Sequence, residues 1–439
     1  MSIRKNVSKL KLPHNKHTAE MHSTVALPPK EVWLPMSMHS GKDAVPVVEV
    51  GDYVRVGQLI AREEGNISSP VHATVSGTVS AIEPIKSMGK EVLAIKIVSD
   101  GKMEKDPNLK APEVNDVDQF LQAVRDSGIV GLGGAAFPTW AKLAACKKSK
   151  IHTFLINGAE CEPYLTSDTR TMVEDGEYIA KGIEYLRKYV GSEKFVIGIE
   201  KNKQEAIKLL EERFQNDNTV KVEELDSIYP QGAKQVLLYN VTGMVQKPGT
   251  RLADLGVLII NVTSLAKLAK YMEDGMPLVD RCVTVDGSAV KEPNNFVVPI
   301  GTPISYLFEL AGGFKEEPGK VIIGGPMMGH AVEDLNEPVV KATGGVLAFN
   351  VKEAKVYEPT ACIHCGRCVD NCPLSLNPTE YARAMEMSDD QEKLALLKKE
   401  QVTLCMQCGC CSYVCPAHRP LVQTNVEAIA FVKKNRAPR

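Results

Sequence analysis

Cys362, Cys365, Cys368 and Cys372 are spaced C-x2-C-x2-C-x3-C and are followed by Pro373. Cys405, Cys408, Cys411 and Cys415 repeat that spacing, and Pro416 follows. The chain has 12 cysteines, most of them from Cys362 onward, so the thiols are concentrated where the pattern is. Four thiolates at these intervals, carried on a short turn, suit a cubane [4Fe-4S] cluster. In the two-run arrangement the fourth cysteine of each run ligates the other cluster. The expected ligand sets are therefore Cys362, Cys365, Cys368 with Cys415, and Cys405, Cys408, Cys411 with Cys372. Structural zinc fits less well, because its sites rarely use this spacing. Disulfides do not suit a chain that shows no secretion signal. Cys410, wedged between ligands, is a spare thiol. These residues predict an electron carrier.

A second group of residues suits a flat or phosphorylated ligand. The loop Gly131-Leu132-Gly133-Gly134-Ala135-Ala136-Phe137-Pro138-Thr139 contains G-x-G-x-x-A, the outline of a dinucleotide-binding turn. Its context is wrong for that turn. A helix precedes it instead of an apolar strand, and no acidic residue ends a second strand at the expected distance. What the loop offers is small residues exposing backbone N–H groups, then Pro138 at the first turn of a helix. That floor suits a phosphate or a ring, and Lys142, one turn on, adds a charge. A tight-packing turn is the plainer alternative, since helix starts also use such loops. Asn157-Gly158-Ala159-Glu160-Cys161-Glu162-Pro163 follows an apolar stretch over 151–156. Ligands of open α/β sheets bind beyond the carboxyl ends of strands. Asn157 is placed to bond a polar ring edge, and Glu162 to accept from a ribose hydroxyl or an amide, unless these acids simply face solvent. Asn261, after the apolar strand 257–260, stands in the same relation to the sheet. Cys161 has no identifiable activating base and is read as packing.

These groups need a scaffold, and 439 residues with 44% hydrophobic content are enough for three or four domains. Lys+Arg 52 against Asp+Glu 54 gives a net charge of −2, which argues against a nucleic-acid partner. No apolar run approaches bilayer length, and the start of the chain, with Lys5, Lys9, Lys11 and Lys16, lacks the apolar core of a signal peptide. A reducing cytoplasm is expected, with membrane attachment supplied by partners.

After an N-terminal arm (1–30), residues 31–99 read as short β-branched strands broken by Gly51, Gly57 and Gly77, a small β sandwich. "GDYVRVGQLIA" and "SSPVHATVSGTVSAIE" resemble lipoyl-type barrel-sandwich domains. The tip, residues 68–73, has no lysine to modify, so the domain is read as structural or docking. Residues 100–116 form a charged linker. Helices alternate with strands from Asp116, the cap of a helix carrying Val117, Phe120, Leu121 and Val124, onward. Helices over 139–148, 173–190 and 203–215 and strands over 151–156, 194–199 and 219–225 predict a largely parallel sheet. "RCVTVDGSAVKEP" reads as a strand, an Asp286-Gly287 turn and a second strand, "ISYLFELAGGF" as a helix, and "KVIIGGPMMG" as another strand. That order fits a β-grasp module. A linker over 350–360 leads to the cysteine runs, which a helix over 378–387 and the segment 390–399 separate. The expected division is 31–99, 117–270, 271–349 and 350–439.

"GLGGAAFPTWAKL", "NGAECEP" and "NVTSLA" together resemble the flavin- and NADH-binding subunit of respiratory complex I. The order of modules, ending in "CIHCGRCVDNCP" and "CMQCGCCSYVCPAHRPLVQ", resembles more closely the RnfC family, the C subunits of Rnf complexes, which are membrane-bound ferredoxin:NAD oxidoreductases. The resemblance covers nearly the whole chain from about residue 25. It implies a multidomain α/β protein made of a barrel-sandwich, an α/β flavin-binding domain, a β-grasp and a helical two-cluster ferredoxin-type domain. By it, Gly131, Gly133, Gly134, Lys142, Asn157 and Asn261 line FMN, while Phe137 and Glu162 face NAD(H). It further implies a peripheral subunit at the cytoplasmic face of the membrane, an oxidoreductase and translocase component with integral and peripheral Rnf partners. Ferredoxin would be reached indirectly through a partner. No side chain is expected to act as a catalytic acid or base. The sequence departs from complex I at Leu132, Ala136 and Ala159, and its tyrosine motif survives only as "YPQGAKQ" around Tyr229. Two other readings stay open: a flavin/iron–sulfur corrinoid reductase, which has a similar module order, and a non-enzymatic iron–sulfur wire with an empty α/β domain.

Overall fold

The computed structural model describes residues 10–435; Lys5, Lys9 and the rest of 1–9 lie outside the described residues, as do 436–439. Alternating burial builds the first module. Val32, Leu34, Val79, Ile95 and Ile97 face inward at 0% exposure, which a two-residue side-chain period makes possible on one sheet face. Glu31–Pro35, Lys90–Ser99, Gly77–Ser87 and Tyr53–Val54 form a four-stranded antiparallel sheet. Val45–Pro46, Leu59–Arg62 and Val71–His72 form a three-stranded one.

The tip of this sandwich is clamped by the rest of the chain. Lys341 Nζ donates to Pro70 O (2.7 Å), Gly128 O (2.8 Å) and Ser69 Oγ (3.1 Å). Thr74 Oγ1 donates to Ile300 O (2.6 Å), and Trp140 Nε1 to Ser68 O (3.1 Å). His39 and His72 are buried beside Lys341. Burial, and then the Lys341 ammonium, pulls their pKa values down to about 4 and about 3. In the unfolded chain both imidazoles take up protons as the pH falls through about 6.5. Folded, they stay neutral until about 4 and 3, so between these limits the unfolded state binds more protons and stability falls with pH. The slope is up to about 1.4 kcal/mol per pH unit for each histidine. Thermal unfolding followed from about pH 7 to pH 5 should therefore show a falling Tm, and His72→Leu should flatten the fall. An identical slope in that variant would remove His72 from the account.

The second module is a parallel sheet in the spatial order Val220–Leu225, Lys194–Glu200, Thr153–Gly158, Val257–Asn261. Its helix Val117–Asp126 starts where Asp116 accepts the Gln119 N–H at 2.8 Å. The expected helix 139–148 is a short helix, Thr139–Leu143, that tightens into a 3-10 turn over Ala144–Lys147. The expected helix 173–190 is two helices, Ser167–Glu174 and Gly176–Val190. The first begins early because the Glu160 carboxylate accepts the Asp168 and Thr169 N–H groups. The junction, Asp175, is held by Lys270 at 2.8 Å.

The third module is a six-stranded sheet in the order Thr24–Val25, Asn294–Pro299, Asp280–Asp286, Gly345–Asn350, Pro318–Ile323, His330–Val332, with helix Ile304–Leu310. The tight hairpin expected at Asp286-Gly287 does not form. Val290 instead bridges to Phe314, Gly287 sits against Ala348 O, and the partner strand starts only at Asn294. The last module packs helices Pro378–Met385, Asp390–Lys399 and Leu421–Lys434 over Leu376, Tyr381, Leu397, Ala428 and Ile429. Among the described residues no helix is long and apolar enough to cross a membrane. The N-terminal segment ties the second and third modules together: Leu10 bridges to Tyr229, His17 Nδ1 meets Asp286, and Thr24–Val25 joins the third sheet.

Candidate functional site

Asn157 and Asn261 occupy the same register at the carboxyl ends of adjacent parallel strands. Parallel strands leave their last residues unpaired on one edge, and there a cavity of about 1150 Å³ opens. Both amides are already fixed. Asn261 Oδ1 accepts the Ser264 N–H (3.0 Å), capping helix Val262–Asp274, and its Nδ2 donates to Asp168 (2.7 Å). Asn157 Nδ2 donates to Gly232 O (3.0 Å), drawing the loop of Tyr229 to the cavity wall. Gly133 and Gly134 complete the floor. A Cβ on Gly133 would stand 3.2 Å from Asn261 Nδ2, so the loop backbone and the strand end meet with no room between them.

Glu160 and Glu162 do not face solvent. Glu162 accepts the Met327 N–H (3.0 Å) and the Tyr229 hydroxyl (3.4 Å). Burial raises its pKa, and these two donors pull the other way. Its carboxylate fills the place a side chain on Gly325 would take, so the β-grasp closes one side of the cavity. Lys16, from the N-terminal arm, donates to Glu160 O and Glu162 O at 2.8 Å each and also to Leu165 O. It holds a loop in which Glu160 (φ 45) and Tyr164 (φ 70) adopt left-handed backbone. Cys161 Sγ accepts the Gly232 N–H at 3.3 Å, a packing role.

Gly133, Gly134, Asn157, Glu162 and Asn261 are thus gathered around one space. Gly131, Phe137 and Lys142 are not on its wall. Gly131 N–H donates to Phe137 O (2.8 Å), closing the loop from behind. The Phe137 ring is 37% exposed. Lys142 lies within charge range of Lys234, which does line the cavity. Burial first, and then Lys234, lowers the Lys142 pKa to about 8. Neither ammonium has an acceptor or a carboxylate partner among the described residues. Sequence reading missed Lys234, Gly325, Lys16 and Asp168. Only Lys234 carried a local signal, as the first residue of a helix, Lys234–Thr242, with no side-chain cap.

The far end of the same cavity is Leu374, Thr403, Leu404, Cys405 and Met406. Here the cysteine runs repeat their backbone as well as their spacing. His364 and Gln407 (φ 55 and 60), Gly366 and Gly409 (φ 76 and 84), and Ser375 and His418 (φ 54 and 51) are left-handed at matching places. Each run therefore curls around its sulfurs. Amide N–H groups of His364, Gln407 and Leu376 point at the sulfurs of Cys362, Cys405 and Cys372 at 3.3–3.4 Å. Burial raises the Cys368 thiol, and neighbouring Cys415 and Cys362 add to it. Burial pushes Cys372 up to about 11, and there the neighbours are Cys408 and Cys405. The fourth thiol of each run thus lies with the other run's first three, as a crossed pair of cubanes requires. Cys372, Cys405, Cys408 and Cys411, with Cys410 beside them, edge a small void. Among the described residues no three His, Cys, Asp or Glu side chains close in as a single metal ion requires; the thiols stand further apart. Cys365 of the first set is exposed although Cys368 is buried, whereas no thiol of the second set is exposed and its Cys405 lines the cavity, so the second set is the one on the cavity side.

Fold and site together define an FMN- and [4Fe-4S]-containing electron-transfer protein. The family model for the Nuo51 FMN-binding domain matches residues 124–270, and that for the 4Fe-4S dicluster domain matches 358–418. The RnfC barrel sandwich hybrid domain matches 8–102 and the SLBB domain 282–331. The C subunit of the Na(+)-translocating ferredoxin:NAD(+) oxidoreductase complex of Acetobacterium woodii is 42% identical over 84% of this chain and 85% of its own length. The proton-translocating counterpart of Clostridium ljungdahlii is 39% identical over 83% and 80%. The C subunit of the ion-translocating oxidoreductase complex of Rhodobacter capsulatus is 38% identical over 86% and 74%. The chain belongs to this RnfC family. A chain of the NAD+-reducing [NiFe]-hydrogenase in its H2-reduced state shares the fold, with a TM-score of 0.51 at 20% identity over 73% of this chain. This chain spans 62% of that one's length.

Proposed function

We propose that this chain is the NAD(H)-reacting peripheral subunit of an ion-translocating ferredoxin:NAD oxidoreductase complex, bound at the cytoplasmic face of the membrane by integral partners. Ferredoxin is reached through another subunit. The observation that carries this reading is the single cavity that runs from the Gly133–Asn261 floor to Cys405. FMN, when bound, exchanges a hydride with nicotinamide and single electrons with iron–sulfur clusters.

The chain's own residues position and insulate that chemistry. Gly133 and Gly134 supply the close backbone floor, with Gly131 closing the loop behind them, and Asn157 and Asn261 offer edges already oriented by Gly232, Ser264 and Asp168. Lys142 and Lys234, two facing ammoniums without a counter-charge, with the amides that open helix Lys234–Thr242, suit the FMN phosphate. Glu162 meets the nicotinamide nucleotide from the β-grasp side, and Phe137 guards the approach to the loop. Cys372, Cys405, Cys408 and Cys411 hold the cavity-side cluster. Cys362, Cys365, Cys368 and Cys415 hold the outer one, where Ile363 (67% exposed) and Tyr413 (55%) offer an apolar rim for the next carrier. Division of the chain at 31–99, 117–270, 271–349 and 350–439 belongs to the same proposal. It is supported by separate sheets in the first three segments and by a helical core in the last.

The test is anaerobic purification, flavin extraction and a spectrum after NADH. Stoichiometric FMN and bleaching of both flavin and clusters are expected; a flavin-free chain that NADH does not bleach would be a wire instead. Glu162→Gln should keep FMN and weaken NADH binding by about 1–3 kcal/mol, through loss of a charge-assisted hydrogen bond. Unchanged NADH affinity would take Glu162 out of the nucleotide site.

A further inference from the structure

Asn425 lies on the C-terminal helix, 1% exposed, on a face otherwise made by Leu421, Ala428, Ile429 and Val432. Its Nδ2 is 3.6 Å from the Cys405 sulfur and 3.8 Å from the Cys411 sulfur. Its Oδ1 is buried with no partner. Burying an amide without full compensation is unfavourable. The only return for that cost among the described residues is two N–H···S contacts.

The internal repeat supplies a comparison within the molecule. Asn425 is ten residues after Cys415, the fourth cysteine of its run, and Ala382 is ten residues after Cys372. Ala382 is buried in the small apolar cluster that holds Cys368, the third cysteine of the first run, while Asn425 is buried with its amide toward Cys411, the third of the second. The two helices therefore present the same position to the two clusters, one with a hydrogen-bond donor and one without.

We propose that Asn425 tunes the cavity-side cluster, holding its reduction potential above the value that burial alone would set. Reduction adds negative charge to the cluster, which a buried site solvates poorly. An N–H directed at the ligand sulfurs stabilises that charge. The outer cluster, with Cys365 exposed, receives the equivalent help from water. Asn425 thus keeps the cluster nearest the flavin reducible even though it is enclosed.

The proposal rests on the crossed ligand sets, and its test separates the two. In an anaerobic redox titration of the full chain followed by EPR, a soluble paramagnetic relaxant identifies the outer cluster by broadening its signal. Asn425→Leu, of similar shape but without a donor, should retain about eight irons. At fixed ambient potential the reduced-to-oxidised ratio of the inner cluster should fall on the order of tenfold, about 59 mV for one electron. Ala382→Asn should shift the outer cluster in the opposite sense. If Asn425→Leu fails to assemble its inner cluster, the Ala382→Asn shift decides. Eight irons with unmoved potentials in both variants, or a shift on the outer cluster in Asn425→Leu, would overturn the proposal. A wrong ligand set would show separately, as loss of the inner cluster in Cys415→Ala.

Discussion

Replacing Gly133 with valine is expected to remove FMN and to leave both iron–sulfur clusters in place. Asn261 cannot retreat from the new side chain. Its Oδ1 caps helix Val262–Asp274 through Ser264, and its Nδ2 is held by Asp168. A Cβ at 3.2 Å from that Nδ2 is already tight, and two methyl groups must then project into the cavity. Overpacking of this kind costs about 1–3 kcal/mol, and each 1.4 kcal/mol is about tenfold in affinity. The ring or phosphate also loses close approach to the loop amides. Less than about a tenth of the normal flavin is expected after acid extraction, with iron unchanged. The clusters are spared because their core, Leu376, Tyr381, Leu397, Ala428 and Ile429, is separate from that of the α/β sheet. Stoichiometric FMN in Gly133→Val would move the flavin site elsewhere.

Cys415→Ala should remove about four of eight irons, and they should come from the outer cluster although Cys415 belongs to the inner run. The thiol lies with Cys368 and Cys362, while Cys372 lies with Cys405 and Cys408. The EPR signal that survives should be the one a soluble relaxant does not broaden. Cys410→Ala should leave about eight irons, because the two runs already supply four thiols to each cubane without it and this thiol packs against Leu10, Leu12 and Tyr229 and hydrogen-bonds to Cys408. Loss of four irons in Cys410→Ala would require a new ligand set.

How much was legible before the structure depends on the range of each interaction. The cysteine runs are local: a cubane is wrapped by a turn of a few residues, so spacing and the adjoining proline announce it. The parallel sheet was legible for a similar reason. Apolar strands alternating with amphipathic helices leave few arrangements, and the polar residues that end those strands, Asn157 and Asn261, must then share one edge. Helix limits were less certain, because the cap that starts Ser167–Glu174 is Glu160, a residue outside the helix and on the loop before it.

Only tertiary structure decided what meets what across the chain. Lys16 lies 144 residues before Glu160, whose carbonyl it holds, and Lys341 lies 271 residues after Pro70. Each is an ordinary lysine in its own neighbourhood. Neither the barrel-sandwich tip nor the Asn157–Pro163 loop advertises that its carbonyls need a distant ammonium. The Glu162–Gly325 contact, the placing of Cys405 on the cavity that Gly133 and Asn261 floor and the difference between Asn425 and Ala382 are of the same kind. Short spacings by themselves announced the iron–sulfur chemistry, because cubane ligation is local; FMN and NAD(H) came from the resemblance to the complex I and RnfC modules. The route between cofactors was decided by packing, because which cysteine run faces the flavin depends on how whole modules are turned against one another.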